Sequence, residues 1–442
     1  MTYFLQPVET EPYFFHSYSS ISLTLSFSLA AMTRSREDPN DFVLEQIHDK
    51  KTRDYTRQRN AAAWRNLLST EDYVTRENVL GLSKITCSDP NRLVVFALKA
   101  KGSEDLLCSC ELLIRESWRY KKNANGEVER CDVLSGCIGG VYTYEENRGR
   151  GLATIMIDKL VETAKTPEFL GPDGFTFLYS EVGEFYARNG FKSFHVDLLN
   201  LPLKYAGAKY ATRPGYELVK YSEFGPLFEL YNKHQEREIT RKVGEDGIDR
   251  ISISPSADYA DWFHIRAKYF GVKLFDTDAS HFDFENESLH SLADKFKDSE
   301  PTYFGLKSVC PETGKLRGFL VWQYEYGFNE NENKFENYVT LVKSFVGDDF
   351  DDNDVTLELV EEMKRYLEAE HGTPQMSNFH KIVIWETEIS SVVKKVLINR
   401  FGSKHGLENL SRSAILYNNE KDDAKLKLGG IIWENNTKLP WF

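Results

Sequence analysis

Two arginines and two glycines, Arg148, Gly149, Arg150 and Gly151, stand between a run that reads as a strand and one that reads as a helix, in the stretch YTYEENRGRGLATIMIDKLVE from Tyr142 to Glu162. A helix that begins directly after them presents unpaired backbone N–H groups and a partial positive charge at its first turn. Glycines let a ligand approach the backbone closely, and guanidinium groups hold phosphate oxygens, so the chemistry that fits is anion binding. Gly136, Gly139 and Gly140 in the preceding strand mark a second place where a ligand can lie against bare backbone. Taken alone, the tetrapeptide also reads as an ordinary loop with Asn147 as a helix cap.

Other chemistry finds less support. The six cysteines, Cys87, Cys108, Cys110, Cys131, Cys137 and Cys310, lack C-x-x-C spacing, and no histidine lies near the Cys108–Cys110 pair. No metal site is expected, and free thiols point to a reducing compartment, hence the cytoplasm. A net charge of −13 argues against a general nucleic-acid binder, since phosphate affinity needs clustered cations. No run approaches the roughly twenty apolar residues of a membrane-spanning helix. An acidic body suits solubility and is compatible with a cationic partner.

The flanking pattern supplies the scaffold. FVLEQI (42–47) reads as a strand and Asp49 to Leu68 as a helix with Trp64, Leu67 and Leu68 on one face. RLVVFALKA and LLCSCELLIRESWRY are two strands joined at Gly102–Ser103, NANGE is a hairpin tip, and VLSGCIGGVYT leads into the glycine-arginine loop. A helix to about Ala164, the strand FTFLYS, a helix ending near Asn189 and GFKSFHVDLL complete the first half. This order is that of an α+β domain and not of a doubly wound sheet. Prolines and glycines then thin the pattern over 202–216, after which ADWFHIRAKYFG, TYFGLKSVCPETGKLRGFLVWQYEY, NYVTLVKSFV, TLELVEEMKRYLEAE and KIVIWE repeat the theme. The expected division is a leader over 1–41, a first domain over 42–201, a linker over 202–216 and a second domain over 217–442. Residues 1–31 carry no Lys or Arg, which fits neither a secretory nor a mitochondrial presequence, and Met32 is read as an alternative start.

The residues Arg148-Gly-Arg-Gly151-Leu-Ala153 match the R-x-x-G-x-G/A signature of the GNAT acetyltransferases, and FYARNGF (Phe185–Phe191) resembles that family's F/L-Y-x-x-x-G-F segment. The longer patterns YTYEENRGRGLA and FLYSEVGEFYARNGF, with the ending KLPWF, resemble the fungal L-lysine N6-acetyltransferases from about Phe42 to Phe442. The resemblance implies tandem GNAT-like domains, each a mixed, mostly antiparallel sheet flanked by helices, with the second copy degenerate, and acetyl-CoA as co-substrate. It implies that the backbone of Val141, Tyr142 and Thr143 pairs with the pantetheine arm, and that Arg148, Gly149, Arg150, Gly151, Leu152 and Ala153 hold the pyrophosphate. Tyr186 would protonate the departing thiolate. Tyr179 stands where the family often has an asparagine, which leaves Ser180 as the substitute CoA contact. Some relatives carry a glutamate at the start of the motif strand; Ser135 stands there, so the base is unassigned, with Glu145, Glu146 and Glu181 as nearby carboxylates only.

By the same resemblance the acceptor is the ε-amine of free L-lysine in lysine catabolism. A protein or histone lysine acetyltransferase and a non-catalytic CoA-binding pseudoenzyme are the alternatives. In the second half, GDDFDDND (Gly347 to Asp354) occupies the position of the phosphate loop, and its five aspartates would repel a pyrophosphate. It lacks the glycine and closing glutamate of a calcium loop. The ending NNTKLPWF finishes on aromatic residues suited to anchoring. Tandem halves resemble N-myristoyltransferases, whose terminal carboxylate acts as base, so the carboxylate of Phe442 is expected near the acceptor; the plainer reading is that Trp441 and Phe442 pin the last strand.

Overall fold

A computed structural model describes residues 37–87, 92–276, 279–297, 299–329 and 331–441. Of the expected leader, only 37–41 fall among them.

The chain enters β1 (Phe42–Ile47) and continues through α1 (Lys50–Trp64), α2 (Thr70–Leu80) and the single turn α3 (Lys84–Cys87). Asp49 caps α1 by accepting from the Thr52 N–H at 2.8 Å, and Ser69 caps α2 by accepting from the Asp72 N–H at 3.0 Å. The helix expected to reach Leu68 therefore stops at Trp64; Asn66, at φ 50, turns the chain into a second helix. Next come the long antiparallel strands β2 (Leu93–Ala100), β3 (Leu106–Lys122) and β4 (Val128–Thr143). Six consecutive residues of β2 are buried, as in a strand covered on both faces. From β4 the chain crosses by α4 (Leu152–Ala164) to β5 (Phe175–Ser180), parallel to β4. The helix expected near Asn189 is a single 3-10 turn, Phe185–Asn189, closed by Gly190 at φ 91. The expected strand GFKSFHVDLL is split into β6 (Lys192–Ser193) and β7 (Leu198–Pro202).

The second half runs through β8 (Tyr216–Lys220), α5 (Gly225–Asp246), β9 (Asp249–Ile253), α6 (Ala257–Phe275), α7 (Leu289–Phe296), β10 (Tyr303–Val309) and β11 (Leu316–Glu325). A small hairpin, β12 (Phe328–Asn329) and β13 (Lys334–Phe335), leads to β14 (Asn337–Val346), α8 (Asp352–Glu368) and β15 (Phe379–Trp385). The chain closes with α9 (Ser391–Phe401), β16 (Lys404–Leu407), β17 (Arg412–Tyr417), α10 (Glu420–Lys427) and β18 (Ile431–Trp433).

The main path of the first sheet is β1-β2-β3-β4-β5-β17-β6, and the second sheet is β8-β10-β11-β14-β15-β7-β16. In each, the fourth and fifth strands form the parallel pair and the other neighbours are antiparallel. The repeat seen in the sequence pattern is thus a repeat of topology. The sixth strand of each sheet comes from the other half: β17 pairs with β5, and β7 pairs with β15. β9 and β18 also extend the first sheet through β3. The strands therefore cross the division expected between 201 and 217. Leu199 and Leu201 of β7, fully buried, share one hydrophobic cluster with Phe175 and Phe177 of the first sheet and Trp322 and Leu341 of the second.

Candidate active site

The register of β3 with β4 sets Glu111 opposite Gly139 and Ser109 opposite Tyr142, so β4 carries one extra residue. Gly140 lies in this bulge at φ 58, a conformation that L side chains rarely adopt. On the opposite edge, the pairing of β4 with β5 ends at Ile138–Leu178. Beyond it, the stretch from Gly139 to Thr143 pairs with no strand on that side among the described residues. Val141, Tyr142 and Thr143 thus present the free edge that an extended arm can join as an added strand.

Gly149 at φ 76 and Gly151 at φ 81 then bend the chain into α4, whose start has no side-chain cap. Arg148 N–H donates to the Glu145 carbonyl at 3.2 Å and Thr154 N–H to the Gly151 carbonyl at 3.1 Å. Among the described residues, the five successive N–H groups between them, Gly149 to Ala153, have no acceptor. Such a run at a helix N-terminus is an anion site. The arginine side chains, expected at the pyrophosphate, have protein partners in this structure. Arg148 donates from Nε to the Thr143 carbonyl at 3.2 Å and from Nη2 to the Tyr142 hydroxyl at 2.8 Å. Arg150 donates from Nε to Glu37 at 2.8 Å and from Nη1 to Asn147 at 3.2 Å.

Where β4 and β5 part, a cleft of about 250 Å³ opens, lined by Ile138 to Val141, Leu178 to Val182, Tyr186, residues of α1 and α2, and Trp262, Arg266 and Trp441 from the second half. Tyr186 packs against Phe185 and Phe191, with ring centroids 5.1 and 6.2 Å away. Burial, helped by Cys110 and Glu181, raises its phenol pKa well above the ordinary value, so it holds its proton at neutral pH. Ser180 lines the cleft, but its Oγ accepts from the Val182 N–H at 3.2 Å. The Tyr179 hydroxyl donates to the Thr437 carbonyl at 2.9 Å, which ties the C-terminal segment to β5.

Glu111, one of the carboxylates that line the cleft, was missed by sequence reasoning. Arg57 donates to its Oε1 from Nε and Nη2, both at 3.3 Å, and to Asn78 from Nη1 at 2.7 Å. Burial raises the Glu111 carboxyl above its usual range, with Arg57 opposing. Its signal was legible: one glutamate inside the apolar run LLCSCELLI, on a strand whose neighbours are buried. Of the earlier candidates, Glu181 lines the cleft and accepts from Trp64 Nε1 at 3.2 Å, Glu146 pairs with Arg59, and the Ser135 hydroxyl lies 2.8 Å from that of Ser117. Cys137, also in the cleft, is pushed up to about 12 by burial and is a poor nucleophile at neutral pH.

In the second half, the N-terminus of α8 is already capped: Asp351 accepts from the Asp354 N–H at 2.9 Å. Asp348 pairs with His234 and Arg237, and Asp349 with Lys315 at 2.8 Å. Trp441 stacks on Phe263 at 6.1 Å, while Phe442 lies outside the described residues. Among the described residues no group of three or more His, Cys, Asp or Glu could hold a metal ion, and no helix is long and apolar enough to cross a membrane.

Comparison with known proteins places a family model, the LYC1 GNAT-like C-terminal domain, on residues 200–442. A Saccharomyces cerevisiae protein, "Uncharacterized protein YGR111W", is 29% identical over 267 residues, which is 53% of this chain. The match covers 66% of that relative's length. Among solved structures, S. cerevisiae N-myristoyltransferase with bound myristoyl-CoA is similar at a TM-score of 0.48 and 11% identity, covering 85% of this chain and 78% of that one. A probable N-acyltransferase from Enterococcus faecalis V583 gives 0.47 and 10%, covering 85% and 72%.

Proposed function

The chain belongs to the LYC1 GNAT-like family and carries the GNAT-superfamily acetyltransferase fold, and on that premise we propose that it is an acetyl-CoA-dependent N-acetyltransferase acting on the ε-amine of free L-lysine. The observation that carries the cofactor assignment is the run of unaccepted N–H groups from Gly149 to Ala153, directly beyond the free edge of β4. The pyrophosphate fits the first and the pantetheine arm fits the second, which brings the thioester to the cleft where β4 and β5 part. Because Asp351 caps the equivalent helix in the second half, we assign CoA to the first half only.

The reaction is attack of the neutral amine on the thioester carbonyl. A C–N bond forms and the C–S bond breaks. A lysine ammonium has a pKa of about 10.4, so a proton must be taken from it before attack. Glu111, buried in the cleft and raised in pKa, is the group that receives it and passes it to solvent. Tyr186 gives its proton to the thiolate and regains one from the acylated nitrogen. The nitrogen loses two protons, the sulfur gains one, and one is released per turnover. With Cys137 protonated and buried, transfer is direct rather than through an acyl-enzyme.

The test is thiol release from acetyl-CoA with free amino acids, polyamines and histone peptides offered separately. Release with L-lysine supports this reading. Release only with peptides selects a protein acetyltransferase, and acetyl-CoA binding without release in any arm selects a pseudoenzyme.

A further inference from the structure

Three guanidinium groups line the cleft. Arg57 is held by Glu111 and Arg76 by Glu77. Arg266, from α6, has no carboxylate within ion-pair distance among the described residues, and its Nε is buried without an acceptor. Its guanidinium carbon lies 5.6 Å from the centroid of Trp441, and the ammonium of Lys438 lies 3.4 Å from the same centroid. Lys438 is 8% exposed, and its ammonium is lowered to about 8 by burial and by the charge of Arg266, against the opposing charges of Glu325 and Glu181. Those two carboxylates already accept from other groups, Glu325 from Gln323 and Glu181 from Trp64.

We infer that Arg266 binds the α-carboxylate of a free amino-acid acceptor. A cation removed from water without a counter-ion is unfavourable, and a planar carboxylate offers the guanidinium a two-pronged partner. The placement fits a molecule with an amine at one end and a carboxylate at the other. The transfer end of the cleft is built from β4 and Tyr186 of the first half, and the cationic end from α6 and the C-terminal segment. Glu181, which lines the same cleft, suits the α-ammonium of the same molecule. A lysine inside a polypeptide has amides in place of both charges and would leave Arg266 unpaired. The inference rests on the acetyl-transfer reading above and names which part of the acceptor is recognised.

The experiment compares L-lysine with cadaverine, the same chain without the carboxylate, in steady-state acetylation by the full chain and by Arg266→Gln and Arg266→Lys. The wild type is expected to prefer L-lysine in kcat/KM by about a hundredfold or more. Arg266→Gln should remove that preference through KM for lysine while cadaverine turnover stays within about threefold, a result that also reports an intact fold. Arg266→Lys should restore part of the preference. Equal use of both amines by the wild type, or a preference that persists in Arg266→Gln, overturns the inference and leaves the acetyltransferase reading standing. Acetylation of neither amine by a protein that binds acetyl-CoA overturns both.

Discussion

At the scale of single residues, Gly151 and Tyr186 divide binding from turnover. Gly151 is at φ 81, and nothing lies within 4 Å of a Cβ added there. Gly151→Val therefore does not crowd the fold, but it strains the loop by about 1–2 kcal/mol and sets methyl groups beside the anion-binding N–H groups. Calorimetry should show acetyl-CoA affinity reduced by about ten- to a hundredfold; unchanged affinity removes the loop from the CoA site. Tyr186→Phe keeps the packed ring and loses only the acid. Its kcat should fall by roughly two orders of magnitude with acetyl-CoA affinity preserved, and wild-type turnover would return Tyr186 to the core. Glu111 acts as base only when ionised, and burial places its pKa above 4.5. Wild-type kcat/KM should drop as pH falls through that raised value, and the acidic limb should be missing from whatever activity Glu111→Gln retains. Persistence of the limb in that variant assigns it to another group. The motif residues were legible because Arg148 to Ala153 lie within one turn of chain. Glu111 stands out as a lone glutamate in an apolar run, but its meeting with Arg57 and Arg266 was not legible, since these residues come together only through strand pairing and the packing of α1 and α6. The arginines' own partners, Thr143, Tyr142, Asn147 and Glu37, were likewise not legible in the motif.

At the scale of elements, the bulge in β4 and the loss of pairing beyond Ile138 form the cleft, and neither has a length or period that composition reports. The glycines at 136, 139 and 140 hinted at it. Helices α2 and α5 were missed for a different reason. The apolar residues of α5 that become buried, Leu227, Phe228, Tyr231, Ile239 and Val243, are sparse among charges. Helix α6 carries a test of its own packing. Asp261 on it is buried, 3.8 Å from the exposed ammonium of Lys84, and burial pushes its carboxyl up to about 7 from 3.8. The folded protein thus binds this proton more tightly than the unfolded chain. The stabilisation is full below about pH 4 and is lost as pH rises through about 7. Asp261→Asn removes the buried charge while keeping the shape, so its gain in Tm over wild type should be larger at pH 8 than at pH 5. Equal gains at the two pH values would show that Asp261 carries no such shift.

At the scale of the whole molecule, the two sheets exchange their sixth strands, so neither half of the chain completes its own sheet. An α+β class with two similar halves could be read from the order of strand-like and helix-like runs. The exchange could not, because β7 and β17 look like any short apolar strand, and only tertiary pairing decides which sheet takes them. The consequence is thermodynamic. Leu201, on the strand that the first half lends to the second sheet, is fully buried in the cluster shared by both sheets. Leu201→Ala should cost about 2–5 kcal/mol through lost contacts and the cavity left behind. If the halves were independent, that loss would fall on the second sheet alone. Because β17 runs back to β5, unfolding of the second half should strip the first sheet of its sixth strand as well. Hydrogen exchange followed by mass spectrometry is expected to show protection falling together in β4–β5 and in β14–β15. Chemical denaturation should give one transition by tryptophan fluorescence and by circular dichroism. A first sheet that keeps its wild-type protection while the second opens would mean that the exchanged strands pack without coupling the halves.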